Sequence, residues 1–302
     1  MEKILITGGT GLIGKNLIPV LQKNGFEVVL LVRKAPSNST IKYHLWNPDQ
    51  NELDESVFDG VDHILHLAGE NIGAKRWTKS RKKKLYDSRI KSANLLFEKS
   101  KNANIKTFIT ASGVNFYGTI TSDHIFTEND QPGSDFLSQL TLDWEKSADQ
   151  FSNRGTRIVK LRTGVVLSEK GGALEKILIP FKWNVGSELG DGKQYMPWIH
   201  LNDLMQIYVN AVTDKNMNGA YNAVAPTHIT NSELTSLIAK NLGKKLWAPR
   251  VPAFVIRLLF GEMGNLVLKG SRVSSEKLIN QGYTFQSPKL EETITNLISV
   301  KK

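Results

Sequence analysis

Eight residues near the amino terminus, Thr7-Gly8-Gly9-Thr10-Gly11-Leu12-Ile13-Gly14, have the types and spacing that hold a diphosphate. They follow the apolar run 3–7 directly, so the local order is buried strand, tight glycine turn and helix start. At such a junction backbone N–H groups without intrahelical partners converge, and the helix dipole favours an anion there. Gly8, Gly11 and Gly14 fit G-x-x-G-x-x-G, while Gly9, Gly11 and Gly14 fit G-x-G-x-x-G. In either pattern one glycine turns the chain, one lets phosphate approach the backbone, and Gly14 lets the helix lie close to the strand. The ligand implied is a dinucleotide.

A second apolar strand, 27–32, ends at Arg33-Lys34. NAD-binding units place an acidic residue there, about 20 positions beyond the glycines, to hold the ribose 2′-hydroxyl. A cation in that place suits a 2′-phosphate, so NADP(H) is favoured over NAD(H). The strand 63–69 closes on Leu67-Ala68-Gly69 and then Glu70, small residues that let a cofactor lie across a strand edge. His63 and His66 point to opposite faces of that strand and cannot share a metal. The strand 107–112 ends at Ser112, followed by a loop closed by Tyr117-Gly118, and the strand 157–161 ends at Arg162-Thr163-Gly164.

These residues are far apart in sequence and need a scaffold that gathers them. Strand and helix alternate over the first 160 or so residues, which predicts an α/β fold with a doubly wound parallel sheet, Rossmann-like. In that architecture the strand carboxyl ends share one cleft, bringing together Gly8 to Gly14, Arg33, Gly69, Ser112 and Arg162. Helices are expected over 80–100, 134–153, 171–181 and 231–242, the last capped by Asn231. Pro19 falls inside the first helix, where it should cost a hydrogen bond or kink it. Residues 1–245 read as the dinucleotide-binding domain, with an insertion at about 169–199 closing over substrate. Residues 246–302 read as a smaller, mainly helical substrate lobe.

With 302 residues and 40% hydrophobic content the chain can bury a large core. It has no cysteine, which excludes disulfides and thiolate metal sites. The first strand begins almost at Met1, leaving no room for a signal peptide, and the apolar run 251–268 is broken by Arg257, Gly261, Glu262 and Gly264. A cytoplasmic protein is expected, without a membrane partner. The formal charge of +10 is densest at 79–84, which lacks interleaved aromatics and reads as a solvated helix face, so no nucleic-acid partner is expected.

Thr7 to Gly14, Leu67-Ala68-Gly69, Ser112 with Tyr117-Gly118, Leu161 to Gly164 and Trp198 to Leu204 resemble the extended short-chain dehydrogenase/reductase, or NAD-dependent epimerase/dehydratase, superfamily. Leu67 to Ile72, Lys75-Arg76-Trp77, Asp87-Ser88-Arg89, Asp143-Trp144-Glu145 and Val251 to Phe254 resemble its atypical branch of YfcH-like, nucleotide-sugar-epimerase-like proteins. The resemblance spans nearly the whole chain. It implies hydride exchange with a nicotinamide while a serine, a tyrosine and a lysine handle the substrate's proton.

The serine maps onto Ser112, but the places of Tyr-x-x-x-Lys hold Leu137 and Thr141. Tyr117 is the leading substitute acid, weighed evenly against simple packing of its ring. Glu70, Lys75 and Arg89 are further sources of acid or charge, Arg76 a receiver for an anionic substrate group, Glu145 a helix-packing residue and His200 a positioning one. The reading is an NADP(H)-dependent oxidoreductase or epimerase acting on a small polar, sugar-like molecule, with a homodimer left open. The alternative is a non-catalytic NADP(H) sensor that binds a partner.

Overall fold

The computed structural model describes residues 1–36 and 40–299. The last three residues of the expected lobe therefore lie outside the described residues. The first half of the chain runs β1 (Lys3–Thr7), α1 (Leu12–Lys23), β2 (Glu27–Val32), β3 (Tyr43–Asn47), β4 (Glu52–Leu53), β5 (His63–His66), α2 (Lys79–Lys99), β6 (Thr107–Gly113), β7 (Ile125–Phe126) and α3 (Phe136–Asp149). It continues through β8 (Arg157–Thr163), β9 (Val165–Leu167), α4 (Ala173–Lys182), β10 (Trp198–His200), α5 (Leu201–Thr213), β11 (Gly219–Ala223) and α6 (Asn231–Leu242). The carboxy-terminal part holds α7 (Ala253–Phe260), α8 (Asn265–Leu268), β12 (Arg272–Val273), α9 (Glu276–Asn280) and α10 (Leu290–Ser299).

Eight strands form one sheet in the order β11-β8-β6-β5-β1-β2-β3-β4. Every neighbouring pair is parallel except the β3–β4 hairpin at the edge, which the sequence reading did not contain. Period-two alternation explains the two layers. Ile4, Ile6, Leu30 and Leu65 face Leu17 and Leu21 of α1 and Leu204 and Tyr208 of α5. Leu5, Leu31, Ile64 and Phe108 face Leu95 and Leu96 of α2 and Ala148 of α3. Being apolar on both faces, these strands can lie only between helices.

The chain reverses direction across the sheet beside β1, whose neighbours are β2 on one side and β5 on the other. Such a point opens a crevice above the strand carboxyl ends. The expected gathering of Gly8 to Gly14, Arg33, Gly69, Ser112 and Arg162 along one edge is thus what the strand order produces.

Some local expectations are revised. Helix α1 continues through Pro19, which is exposed together with Lys15, so the carbonyl left without a donor faces water. The cap of α6 is Thr230, not Asn231: Thr230 and Glu233 form a reciprocal capping box. Helix α3 ends at Asp149, and a 3-10 turn carries the chain to Arg154. The last part of the chain is tied down by Asp203, fully buried in the first turn of α5, which accepts from the Gln286 and Ser287 amides and the Tyr283 hydroxyl. Among the described residues no helix is long and apolar enough to cross a membrane.

Candidate functional site

The glycine turn shows which spacing applies. Gly8 has φ of +71°, and a Cβ there would stand 2.7 Å from the Leu67 carbonyl carbon at the end of β5. A Cβ on Gly14 would stand 2.5 Å from Gly9 Cα, so α1 can lie on the turn only without one. Gly11 is exposed and would meet only the Gly8 carbonyl, at 3.4 Å. Turn, approach and packing therefore fall to Gly8, Gly11 and Gly14. Gly11 is also the N-cap of α1, with no side chain capping it and no acidic residue in the first turn. The amides of Leu12, Ile13 and Gly14 have no intrahelical acceptor, beside exposed Thr10, which is the donor set a diphosphate needs.

Arg33 stands just past β2 with its side chain 70% exposed, 3.6 Å from Glu70 at the end of β5. Glu70 also accepts a 2.8 Å bond from Arg81, whose other nitrogen reaches the Asn71 carbonyl at 2.6 Å. The Arg81 bond, with Arg33 behind it, holds the Glu70 carboxyl below the usual carboxylate range. Arg81 thus departs from the solvated face expected for 79–84: its side chain is only 11% exposed and fixes the loop after β5. Arg89, expected as a source of charge, is also structural. It donates to the Glu70 and Leu85 carbonyls and lies over Trp144, and burial brings its pKa down to about 10.

Beneath Ala68 runs a directed chain. The Ala68 amide donates to Thr7 Oγ1, and Thr7 lies 2.8 Å from His66 Nδ1. His66 Nε2 lies 3.1 Å from Ser92 Oγ, whose proton is taken up by backbone carbonyls of α2. These partners assign the proton to Nε2. Burial pushes the His66 pKa down to about 4, so the imidazole stays neutral.

At the ends of β6 and β8 a second cluster is sealed inside. Ser112 Oγ donates to Glu145 Oε1 at 2.6 Å, and Arg162 grips both Glu145 oxygens, at 2.8 and 2.9 Å. Arg162 also donates to the Tyr117 hydroxyl, which in turn donates to Asn222 Oδ1 at 2.7 Å. Its guanidinium lies over the Phe116 ring, 3.4 Å from the centroid. Burial opposes the Arg162 charge, but the Glu145 pairing outweighs it and holds the guanidinium pKa above its ordinary value. Arg162 was expected against the cofactor. It is 4% exposed with each of its three nitrogens bonded within the protein, so it organises the edge from behind.

Tyr117 is 2% exposed, stacked on Phe126, and burial pushes its pKa up to about 12. That is the geometry of the packing alternative. Leu137 and Thr141 are likewise buried: Leu137 packs with Leu85, Leu140, Ile72, Trp77 and Leu266, and the Thr141 hydroxyl is spent on the Leu137 carbonyl. Glu145 follows Leu137 and Thr141 on the same helix face, at i+8 and i+4. A carboxylate on that apolar face of α3 signals a buried cationic partner, a clue the sequence contains. His200 caps α5, its Nδ1 accepting from the Asn202 amide at 3.2 Å. Lys75 and Arg76 are exposed.

Comparison with known proteins agrees with this arrangement. Residues 4–224 match the model of the NAD dependent epimerase/dehydratase family, and residues 251–297 match a domain of unknown function, DUF1731. The chain is 34% identical over 293 residues to the epimerase family protein ML0860 of Mycobacterium leprae, covering 97% of this chain and 94% of that protein. It is 33% identical over 307 residues to the epimerase family protein SAR0825 of Staphylococcus aureus, covering 99% and 100%. The crystal structure of human epimerase family protein SDR39U1 with NADPH superimposes with a TM-score of 0.85 at 30% identity, covering 98% of this chain and 99% of that one. A nucleoside-diphosphate sugar epimerase from Corynebacterium glutamicum gives 0.80 at 33% identity, covering 97% of this chain and 57% of that one. With a family model over most of the sheet and relatives aligned almost end to end, the chain belongs to the NAD dependent epimerase/dehydratase family.

Proposed function

We propose that the protein is an NADP(H)-dependent oxidoreductase or epimerase acting on a small molecule that carries a hydroxyl or carbonyl. In this reading residues 1–245 hold the dinucleotide, while 169–199 and 246–302 hold the substrate. The carrying observation is the uncapped turn at Gly11 with exposed Arg33 at the next strand end. Gly8 to Gly14 would take the diphosphate, Arg33 the 2′-phosphate, and Leu67 to Glu70 the edge of the cofactor. The SDR39U1 structure with NADPH supports this assignment. The cofactor, when bound, supplies hydride exchange.

The chain's own part is to hold and move the proton. Because Ser112 gives its hydrogen to Glu145, its oxygen is left as an acceptor, suited to receive a substrate O–H. Arg162 holds both Glu145 oxygens behind it, and Tyr117 and Asn222 keep Arg162 in place. Tyr117 is then a positioning residue.

NADPH and NADH titrations, repeated on Arg33→Asp, test the cofactor assignment. A preference for NADPH that falls at least about tenfold in the variant is expected. Equal affinities, or an unchanged preference, would overturn it. The sensor reading has one observation in its favour, the apolar sealing of Leu137 and Thr141. Substrate-dependent change in nicotinamide absorbance supports turnover; tight cofactor binding with redox-dependent partner capture and no such change across alcohols and carbonyls supports the sensor.

A further inference from the structure

A closed circuit of contacts runs around the mouth of the cofactor crevice. At the glycine turn, a Cβ on Gly172 would stand 2.8 Å from the Leu12 side chain, and Lys170 bonds Asn16. From Gly172, α4 runs outward to Asn184, whose carbonyl accepts from Trp247 Nε1 at 2.7 Å. Leu189 then bridges Val251, and Arg250 pairs with Glu188. Helix α7 returns to Gly261, where a Cβ would stand 3.3 Å from Arg76, and Lys82 pairs with Glu262. Arg81 and Glu70 close the circuit beside Gly69 and Gly8.

Helical periodicity and exposure tell which side chains of α4 and α7 are left uncovered around this opening. At 100° per residue, Lys176, Ile179 and Trp183 fall within about 60° of one another along α4, whose N-cap Gly172 lies against the glycine turn. Phe254, Leu258 and Gly261 make the corresponding row on α7, ending against Arg76. Both rows lie opposite the buried sides of their helices, marked by Leu174 and Leu178 on α4 and by Ile256 on α7. Trp183 is 76% exposed, Phe254 70% and Leu258 74%, with Trp247 at 68% where the two segments meet. Farther in, the place of the usual tyrosine holds buried Leu137, covered by partly exposed Ile72 and Leu266, which leave an apolar surface there. Unlike Arg250, Lys82 and Arg81, the cations Lys176 and Arg76 on this circuit have no ion pair among the described residues.

We infer that the substrate mouth takes an anionic amphiphile: a molecule with an extended apolar body lying between α4 and α7, and a phosphate or carboxylate met by Lys176 and Arg76. This rests on the proposed function and names its substrate class. An apolar inner wall and apolar rows on both jaws would leave the hydroxyls of a bare sugar nucleotide without partners. Free cations at the rim supply the charge complement for one anionic end.

The test uses the full chain loaded with NADPH, titrated with dodecyl phosphate below its micelle concentration and read by tryptophan fluorescence. Parallel titrations use dodecanol, inorganic phosphate and UDP-glucose. Saturable binding of dodecyl phosphate is expected, at least about tenfold tighter than dodecanol or UDP-glucose. Ile179→Glu and Leu258→Glu, both at exposed positions, are expected to weaken it by a similar factor while NADPH affinity stays unchanged. Lys176→Ala with Arg76→Ala is expected to remove the preference for the phosphate over the alcohol.

Three results would overturn the inference. They are tighter binding of UDP-glucose, a dimer in solution that Leu258→Glu dissociates, and adsorption to phosphatidylglycerol vesicles without binding of the monomeric amphiphile. Loss of NADPH binding in the wild-type chain would instead strike the underlying function, and that titration is read separately.

Discussion

At the tip of β1 the polar groups belong to the backbone and face solvent; at the tips of β6 and β8 they belong to side chains and face one another. Around Gly11 the amides of α1 have no partner within the helix and no side chain caps them. Around Arg162, each nitrogen of the guanidinium and both oxygens of Glu145 are engaged. The first region leaves backbone donors free to meet a ligand. The second has its charges paired within the protein and keeps the Ser112 oxygen as an open acceptor. A site can therefore keep its cofactor edge while the groups behind it change identity, as Leu137 and Thr141 show.

Breaking the buried cluster should cost most. Glu145→Ala leaves the Arg162 charge buried and unpaired, and a loss of about 3–5 kcal/mol in a denaturant titration is expected. Glu145→Gln, which keeps a bonding partner, should lose less. A wild-type-like midpoint for the alanine variant would mean that the cluster is not structural.

The glycine turn should separate packing from binding. Gly14→Ala forces a Cβ against Gly9 Cα, and a loss of about 3 kcal/mol together with cofactor binding is expected. Gly11→Ala meets little within the protein and should melt close to wild type, while its NADPH affinity falls at least about tenfold. Equal effects of the two substitutions on melting would erase the distinction drawn between the glycines.

His66 sharpens the comparison through pH. Its folded pKa of about 4 lies below the ordinary 6.5, so the unfolded chain takes up the proton first. The stability held in the neutral ring is whole above about pH 6.5, falls as pH drops, and is gone below about pH 4, amounting to about 3 kcal/mol. His66→Gln should flatten that window in acid-dependent melting; an unchanged slope would show that His66 is not the titrating group. The smallest effect is expected from Tyr117→Phe, which removes two hydrogen bonds but keeps the ring, at about 1–3 kcal/mol. Once a substrate is in hand, turnover in this variant is expected to be reduced but retained, and its abolition without loss of fold would restore Tyr117 as the acid.

The legible parts of the molecule share a local cause. Strand and helix alternation, the uncapped turn and the cation at Arg33 each depend on residues within a few positions of one another. The missed parts depend on distant partners. Arg81 looked like one of a run of exposed cations, and only the fold brings Glu70 and Asn71 to it. Glu145 looked like helix packing until Ser112 and Arg162, 33 and 17 residues away, met it.

The amino-acid sequence by itself determined that this chain presents a glycine turn with unpaired backbone amides at the edge of a parallel sheet, because residue type alone sets where such amides go uncapped. Only the tertiary structure decided that Tyr117 and Arg162 are committed to each other and that α4 and α7 leave large apolar side chains exposed. Side-chain partnership and exposure are properties of packing between elements remote in sequence, and no short stretch of sequence encodes them.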